Sequence, residues 1–475
     1  AYLPYPHQPM NTQPSNLVTS FLALLAPALA ASVSPAQNAP MQSMASPPAR
    51  VVLPLDQTEL SVPLDKHVLT VRVVTHSQRA DSFVLLNGQG EPLPADQVPA
   101  PTTYFGSVDG FPGSIVAASL HEEGWRLILD LGEAATIDSG LHGLTRFIYV
   151  QPWAELYPDE ARAQPIGTHA VFVPSQIAPL DVTCGGSPQP PRPAFIDRYA
   201  PRSSCISVAQ IAFDADHELY LLNGSSIPAT VADVESVLNA VDLIYARDVL
   251  IDHVITSILV RDSPSDPYSA IDALEVLIEF ATYWVNNNAA IQRDVAHLMT
   301  GRDVSGNVIG VAYLNTICDY GYGYSQTRFT TDLASRAALT AHELGHNWGA
   351  GHCDSDSDCF IMCSAHGGCG HNLTKFGARS QRDITTFRNT RICLSPGGPY
   401  PTARPDSVAT FVNASILIDV LSNDIDGNCD ALAIGSFGTT TPRGATISRS
   451  IGTGPTGRDQ LLYTCLLYTS PSPRD

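Results

Sequence analysis

The run His342-Glu343-Leu344-Gly345-His346-Asn347-Trp348-Gly349-Ala350-Gly351-His352 constrains this chain more than any other stretch. Two histidines four apart on a helix stand one turn above each other, so both imidazoles reach toward one point. Gly349 lets the chain leave the helix, because glycine accepts the left-handed conformation found at helix C-termini. His352 then returns as a third nitrogen. Three neutral imidazoles suit Zn²⁺ and leave a fourth position open for water, the layout of a catalytic zinc site. Glu343, beside the first histidine, is placed to take a proton from that water as it attacks a carbonyl. A bare His-Glu-x-x-His arises by chance fairly often; the extended form, with three histidines, a glutamate and a glycine, is far more specific.

Composition sets the compartment and excludes several partners. The 475 residues suffice for two or three domains with real cores. The 46 acidic and 26 basic side chains give a formal net charge of -20, which argues against nucleic-acid or anionic-membrane binding and for a self-repelling secreted protein. The apolar run Leu17 to Ala26, followed by Pro27 and the small-residue site Ala28-Leu29-Ala30, reads as a signal peptide over residues 1–30. That run is too short to span a bilayer, and residues 1–9, ahead of the first methionine, read as upstream translation. Of the 10 cysteines, Cys318, Cys353, Cys359, Cys363, Cys369 and Cys393 cluster in one stretch, and with an export signal they read as disulfides.

Patterning divides the remainder. Residues 31–50, rich in Ala, Ser, Pro and Gln, read as a disordered spacer. Residues 51–204 hold short alternating runs, such as Val68 to Val74 and Trp125 to Asp130, that predict β-strands, and they end in a Pro- and Gly-rich linker over 185–204. From Cys205 strands alternate with helices: Val208–Phe213, Val254–Val260 and Val308–Leu314 read as strands. The apolar spacing from Val231 to Tyr245, and that from Ala273 to Val285, predict helices, and the histidine-bearing helix begins near Asp332. Behind a linker, residues 401–464 predict a partial β-sandwich through Ser407–Val412 and Ile416–Leu421. Residues 465–475 resemble the translated sequence of a common transposon-based sequencing adapter and are set aside as a foreign scar.

The eleven-residue motif resembles the metzincin signature, and Met362 answers that signature's requirement for a downstream methionine turn, as an apolar floor below the ligands. Residues 205–396 resemble the reprolysin (adamalysin-like) branch more closely. The resemblance runs through Arg293-Asp294-Val295-Ala296-His297-Leu298-Met299-Thr300-Gly301, Ile309 to Leu314 with Cys318, Phe376-Gly377-Ala378-Arg379-Ser380 and Cys393-Leu394. It implies an α/β (α+β) catalytic domain with a mixed sheet and a zinc-binding active-site helix, preceded by a β-rich pro-domain. His342, His346 and His352 would be the zinc ligands and Glu343 the general base. The strand holding Ile309, Gly310, Val311 and Ala312 would be the sheet edge along which a peptide substrate lies antiparallel.

Tyr104-Phe105-Gly106-Ser107-Val108-Asp109-Gly110-Phe111-Pro112-Gly113-Ser114 looks like the reprolysin pro-domain motif. Cys184-Gly185 sits where related zymogens place a cysteine switch, a thiolate filling zinc's fourth position; a Cys184–Cys205 disulfide is the alternative. Cys318 and Cys393 match the family's bridge, and the cysteines around the methionine turn are expected to pair Cys353–Cys369 and Cys359–Cys363. The chain departs from the family at Cys353, where aspartate is usual and where Asp354 follows instead.

Calcium is the other cation to weigh, at Asp354-Ser355-Asp356-Ser357-Asp358, but the EF-hand glycine and terminal glutamate are missing and a solvated acidic loop is the simpler reading. His366 and His371 read as pocket wall or surface, and Asn223 and Asn372 open acceptor sequons that a bacterial source would leave silent. The tail resembles bacterial cadherin-like or Ig-like repeats at Ile418 to Asp424, which implies a bacterial secreted or surface protein. Together these readings predict a monomeric, secreted zinc endopeptidase made as a zymogen, acting on proteins or peptides. A non-catalytic adhesion protein would be expected to have lost a ligand or the glutamate; a zinc hydrolase of non-peptide amides would not need the edge strand.

Overall fold

The computed structural model describes residues 44–464, except 65, 112, 133–145, 189–204, 320, 327–329, 371, 397–405, 407, 409, 412, 425–431 and 442–443. The expected signal peptide, the adapter-like tail and His371 lie outside them.

The N-terminal region is an antiparallel sheet of β1 (Ala49–Val52), β2 (Glu59–Leu64), β3 (His67–Thr75), β5 (Thr103–Val108), β6 (Ile115–His121), β7 (Gly124–Asp130), β8 (Phe147–Pro152) and β9 (Thr168–Phe172), ordered β1-β9-β8-β7-β6-β5-β3-β2. Alternation explains it: in β2 the residues Leu60, Val62 and Leu64 face a core with Leu69, Val71, Val116 and Leu129, while Glu59 and Ser61 face water. The spacer reading over 31–50 is corrected at its end, because Ala49 and Arg50 pair with Val171 and Ala170. β-branched Val51 and Val52 continue that pairing.

The second sheet is mixed. β11 (Ser207–Ala215), β12 (Ile251–Val260), β13 (Val295–Met299) and β15 (Tyr322–Ser325) run parallel, and β14 (Val308–Ala312) runs antiparallel to β15. Its parallel strands are apolar on both faces because α3 (Ile227–Val249) and α5 (Leu333–Asn347) cover one side and α4 (Ala273–Asn287) the other. Ser226 caps α3 and Asp332 caps α5, the latter accepting from Ser335 N–H at 2.7 Å. These elements match the strands and helices expected from Cys205 onward, with the ends shifted by a few residues.

Two strands from upstream of Cys205 complete this sheet. β10 (Thr183–Cys184) pairs in parallel with β14 at one edge, and β4 (Arg79–Leu86) pairs in parallel with β12 at the other, giving β10-β14-β15-β13-β11-β12-β4. The expectation that Ile309 to Ala312 form a free sheet edge is therefore corrected: here that edge is taken by Thr183 and Cys184.

In the C-terminal region β17 (Ser415–Ile418), β19 (Gln460–Thr464) and β18 (Thr446–Ser450) make a three-stranded antiparallel sheet. The expected strand over Ile416–Leu421 stops at Ile418, where Asp419 turns outward to pair with Arg458. Val408, Thr410 and Phe411 form no strand among the described residues.

Candidate metal centre

The zinc-site reading rests on α5 and the loop behind it. Tyr245 on α3 donates its hydroxyl to Ala341 O at 2.9 Å, fixing the helix just before His342. Arg336 reaches Asp233 at 2.6 Å, one end of an ion-pair network buried beneath the same helix. Gly349, at φ +95°, breaks the helix by a backbone conformation only glycine adopts freely, and the chain then carries His352 back toward His342.

Each imidazole is oriented from behind. His342 Nδ1 faces Ile361 O at 2.6 Å and His346 Nδ1 faces Ala350 O at 2.7 Å. Those carbonyls accept the Nδ1 protons and leave the Nε2 lone pairs pointing inward. Burial, reinforced by the neighbouring rings, drives His342 well below its ordinary pKa and His346 down to about 3; burial lowers His352 as well. All three are thereby kept neutral, as ligands must be.

Four donors converge: Cys184 Sγ and one nitrogen from each of His342, His346 and His352 lie within 4.8 Å of one another. His342 Nε2 stands 3.1 Å from His352 Nε2, and Cys184 Sγ stands 3.5 Å from His346 Nε2. Two inward lone pairs at such a distance repel unless a cation lies between them. A tetrahedral ion with zinc's bond lengths places neighbouring nitrogens about 3.3 Å apart and a nitrogen and a sulfur about 3.6 Å apart. The donor set and its spacing fit zinc.

Glu343 completes the site. Its carboxyl is fully buried, both oxygens lack a hydrogen-bond partner among the described residues, and burial pushes its pKa well above the carboxylate range. The Cys184 thiol leans toward it without closing a hydrogen bond of ordinary geometry, and burial together with that carboxylate pushes the thiol pKa well up. Gly310 of β14 makes room for Glu343: a Cβ there would stand 2.3 Å from Glu343 Oε1. Met362 is fully buried beneath the helix, and a Cβ on Gly345 would come within 2.6 Å of its sulfur.

The cysteines are partly as expected. Cys318–Cys393 is present, but the pairings Cys353–Cys369 and Cys359–Cys363 are corrected to Cys353–Cys359 and Cys363–Cys369. The turn holding Met362 keeps Cys353 on the inner side with Cys359, and Asp354 anchors the outer loop by accepting from Ser364 N–H at 2.8 Å. That anchoring gives Asp354 a structural task in place of calcium binding. Cys184 is a free thiol; Cys205 is disulfide-bonded to a different cysteine, so the Cys184–Cys205 alternative is removed.

Cys184 sits inside a strand that fills the cleft. Thr183 N–H donates to Asn307 O, Gly185 N–H to Gly310 O, and Leu314 N–H to Pro188 O, along β14. On the opposite wall Cys184 N–H donates to Ser364 O and His366 N–H to Val182 O. His366 is thus cleft wall, as expected. The Ile361 and Ala350 carbonyls, Ser364 and Tyr245 escaped the sequence reading; only main-chain geometry reveals three of them.

A profile described as Metallo-peptidase family M12B Reprolysin-like matches residues 231–353, from α3 through all three histidines. The chain carries a reprolysin-like metallopeptidase domain. Disintegrin and metalloproteinase domain-containing protein 33 of Homo sapiens is 27% identical over 325 residues, 63% of this chain and 37% of that protein. The snake venom metalloproteinase fibrolase of Macrovipera lebetinus is 26% identical over 166 residues, 34% of this chain and 79% of that protein. The chain thus spans little more than a third of the human relative's length. A solved structure, metalloproteinase-II from Bacteroides fragilis, aligns at a TM-score of 0.38 and 12% identity, covering 68% of this chain and 87% of that one. Among the described residues no helix of the metallopeptidase domain or its neighbours is long and apolar enough to cross a membrane.

Proposed function

We propose that the protein is a secreted zinc-dependent endopeptidase synthesised as a latent precursor, with residues 51–204 as its pro-domain. The observation that carries this reading is the convergence of three neutral imidazoles, one free thiol and one buried carboxylate at the floor of a cleft already holding an extended strand. His342, His346 and His352 would hold zinc. Zinc, when bound, supplies the Lewis acidity that polarises a peptide carbonyl and acidifies water.

The chain's own residues do the remainder. Glu343 accepts a proton from the attacking water on its carboxylate and returns it to the departing amine, a role favoured by a pKa raised toward neutrality. The main-chain groups of Ile309 to Ala312 and Leu314 offer donors and acceptors to an extended peptide, so recognition rests on backbone pairing and tolerates varied sequences. In the latent form the pro-segment takes those same groups but runs parallel to β14, the reverse of the direction proposed for a substrate. Cys184 fills the fourth donor position. Ile361 and Ala350 hold the ligand rings in the productive tautomer throughout.

The test is cleavage of a peptide library by protein cut between residues 188 and 205, with and without a chelator, alongside metal analysis. Cleavage abolished by the chelator and restored by zinc supports the reading. Stoichiometric zinc with no cleavage of any peptide would leave a binding protein.

A further inference from the structure

The helix α3 buries a row of polar side chains whose partners lie upstream of Cys205. Glu235 meets Arg79 at 2.5 Å, Asp233 meets Arg126 at 2.9 Å, and Asp242 accepts from Gln78 at 2.5 Å. Ser236 meets Ser119 at 2.7 Å, and Asn239 donates to Ala118 O at 2.9 Å. Gln151 accepts from Leu333 N–H at 2.9 Å and so caps the first turn of α5. Buried charges cost several kcal/mol each when left unpaired. Beside them one apolar core runs across both regions, joining Leu85, Ile128, Phe147, Tyr149 and Phe172 to Ile211, Val234 and Val241. At the far edge β4 donates a whole strand to β12, on the opposite side of the sheet from Cys184.

We propose that the N-terminal region and the metallopeptidase domain stay together as a non-covalent complex after the chain between them is cut, anchored at the β4–α3 face rather than at Cys184. The partner that this surface fits is therefore the N-terminal region itself, residues 44–188, as a separate chain. The acidic side chains Asp233, Glu235 and Asp242 on one side and the basic Arg79 and Arg126 on the other make the contact specific. The shared apolar core and the paired strand provide area that cutting one covalent connection does not remove. Cys184 adds one contact at the opposite edge. Activation then takes two events, a cut in residues 189–204 and the removal or destruction of the N-terminal region.

The experiment places a site for a specific protease within residues 189–204 of the full chain, cuts it, and follows both pieces by size-exclusion chromatography and mass spectrometry over a dilution series. The readout is association, so it is independent of whether the domain hydrolyses peptides. At micromolar concentration the two pieces should elute together, and should still do so with Cys184→Ala. Arg79→Glu should raise the dissociation constant by about thirtyfold or more, as loss of a buried charge pair does. Adding Glu235→Arg should restore much of it, and the milder Arg79→Gln serves if Arg79→Glu fails to fold, judged on the uncut chain. Separation of the unsubstituted cut pieces at micromolar concentration overturns the proposal. So does separation caused by Cys184→Ala but not by the Arg79 substitutions.

Discussion

The Cys184 sulfur stands 3.5 Å from Nε2 of His346, although 162 positions of chain separate the two residues. Main-chain pairing to Gly310 on one side and Ser364 on the other brings the thiol there, so the sulfur and the strand block the cleft together.

Cys184→Ala separates those two effects. The strand from Val182 to Pro188 keeps its hydrogen bonds, so the uncut variant should hydrolyse peptides at less than about a tenth of the rate of the cut, separated domain. Metal loss to a small chelator should meanwhile speed up, because a donor is gone. Full peptidase activity in the uncut variant would show that the thiol alone maintains latency.

Glu343→Gln removes the proton acceptor while keeping shape. Turnover should fall by a factor of about 10²–10⁴ with zinc content unchanged. Because the carboxyl is buried without a hydrogen-bond partner, the variant should melt no lower than the parent, and calorimetry reads that directly.

Gly310→Ala tests the close approach of β14 to the base. The added Cβ would meet Glu343 Oε1 at 2.3 Å, so the carboxylate must move. A loss of turnover of at least about tenfold with retained zinc is expected, since misplacement of a catalytic group by about 1 Å costs that much or more. Near-parental turnover would mean that Glu343 tolerates displacement.

His169 makes the N-terminal region sensitive to acid. Trp125 N–H donates to its Nε2 at 2.8 Å, which requires a neutral ring, and burial lowers its pKa to about 4. The unfolded chain, with an ordinary pKa near 6.5, binds the proton more readily, so stability is complete above about pH 6.5 and is lost as pH falls toward 4. The loss amounts to at most about 3 kcal/mol. Melting temperatures between pH 7 and 4.5 check it: His169→Gln should flatten the slope, and an unchanged slope would assign the acid sensitivity elsewhere.

The Cys318–Cys393 bridge closes a long loop that contains the entire α5 helix. Replacing both residues with serine should cost about 2–5 kcal/mol. Equilibrium unfolding in urea reads this as a lower midpoint at constant slope.

What was legible in the sequence is what local geometry dictates. The spacing of His342 and His346, the break at Gly349 and the return of His352 follow from one helix period and one glycine, and the strands from Val208 onward follow from apolar runs between helices. The methionine below the site and the bridge from Cys318 came through resemblance, and the structure places both there.

Other features depend on which distant segments meet. Nothing in Arg79 to Leu86 distinguishes a strand of the first sheet from an edge strand of the second, because both choices bury Leu85 and Leu86 equally well. Likewise Thr183 and Cys184 carry no pattern long enough to show that they pair with β14, still less in parallel. The four cysteines near Met362 allow several pairings at similar loop entropy, and the fold of the turn chose between them. Local periodicity thus determined the metal ligands and the elements that bear them. The blocked cleft, the shared sheet and the buried partners of α3 were decided only when hydrogen-bonding and apolar surfaces far apart in the chain satisfied one another.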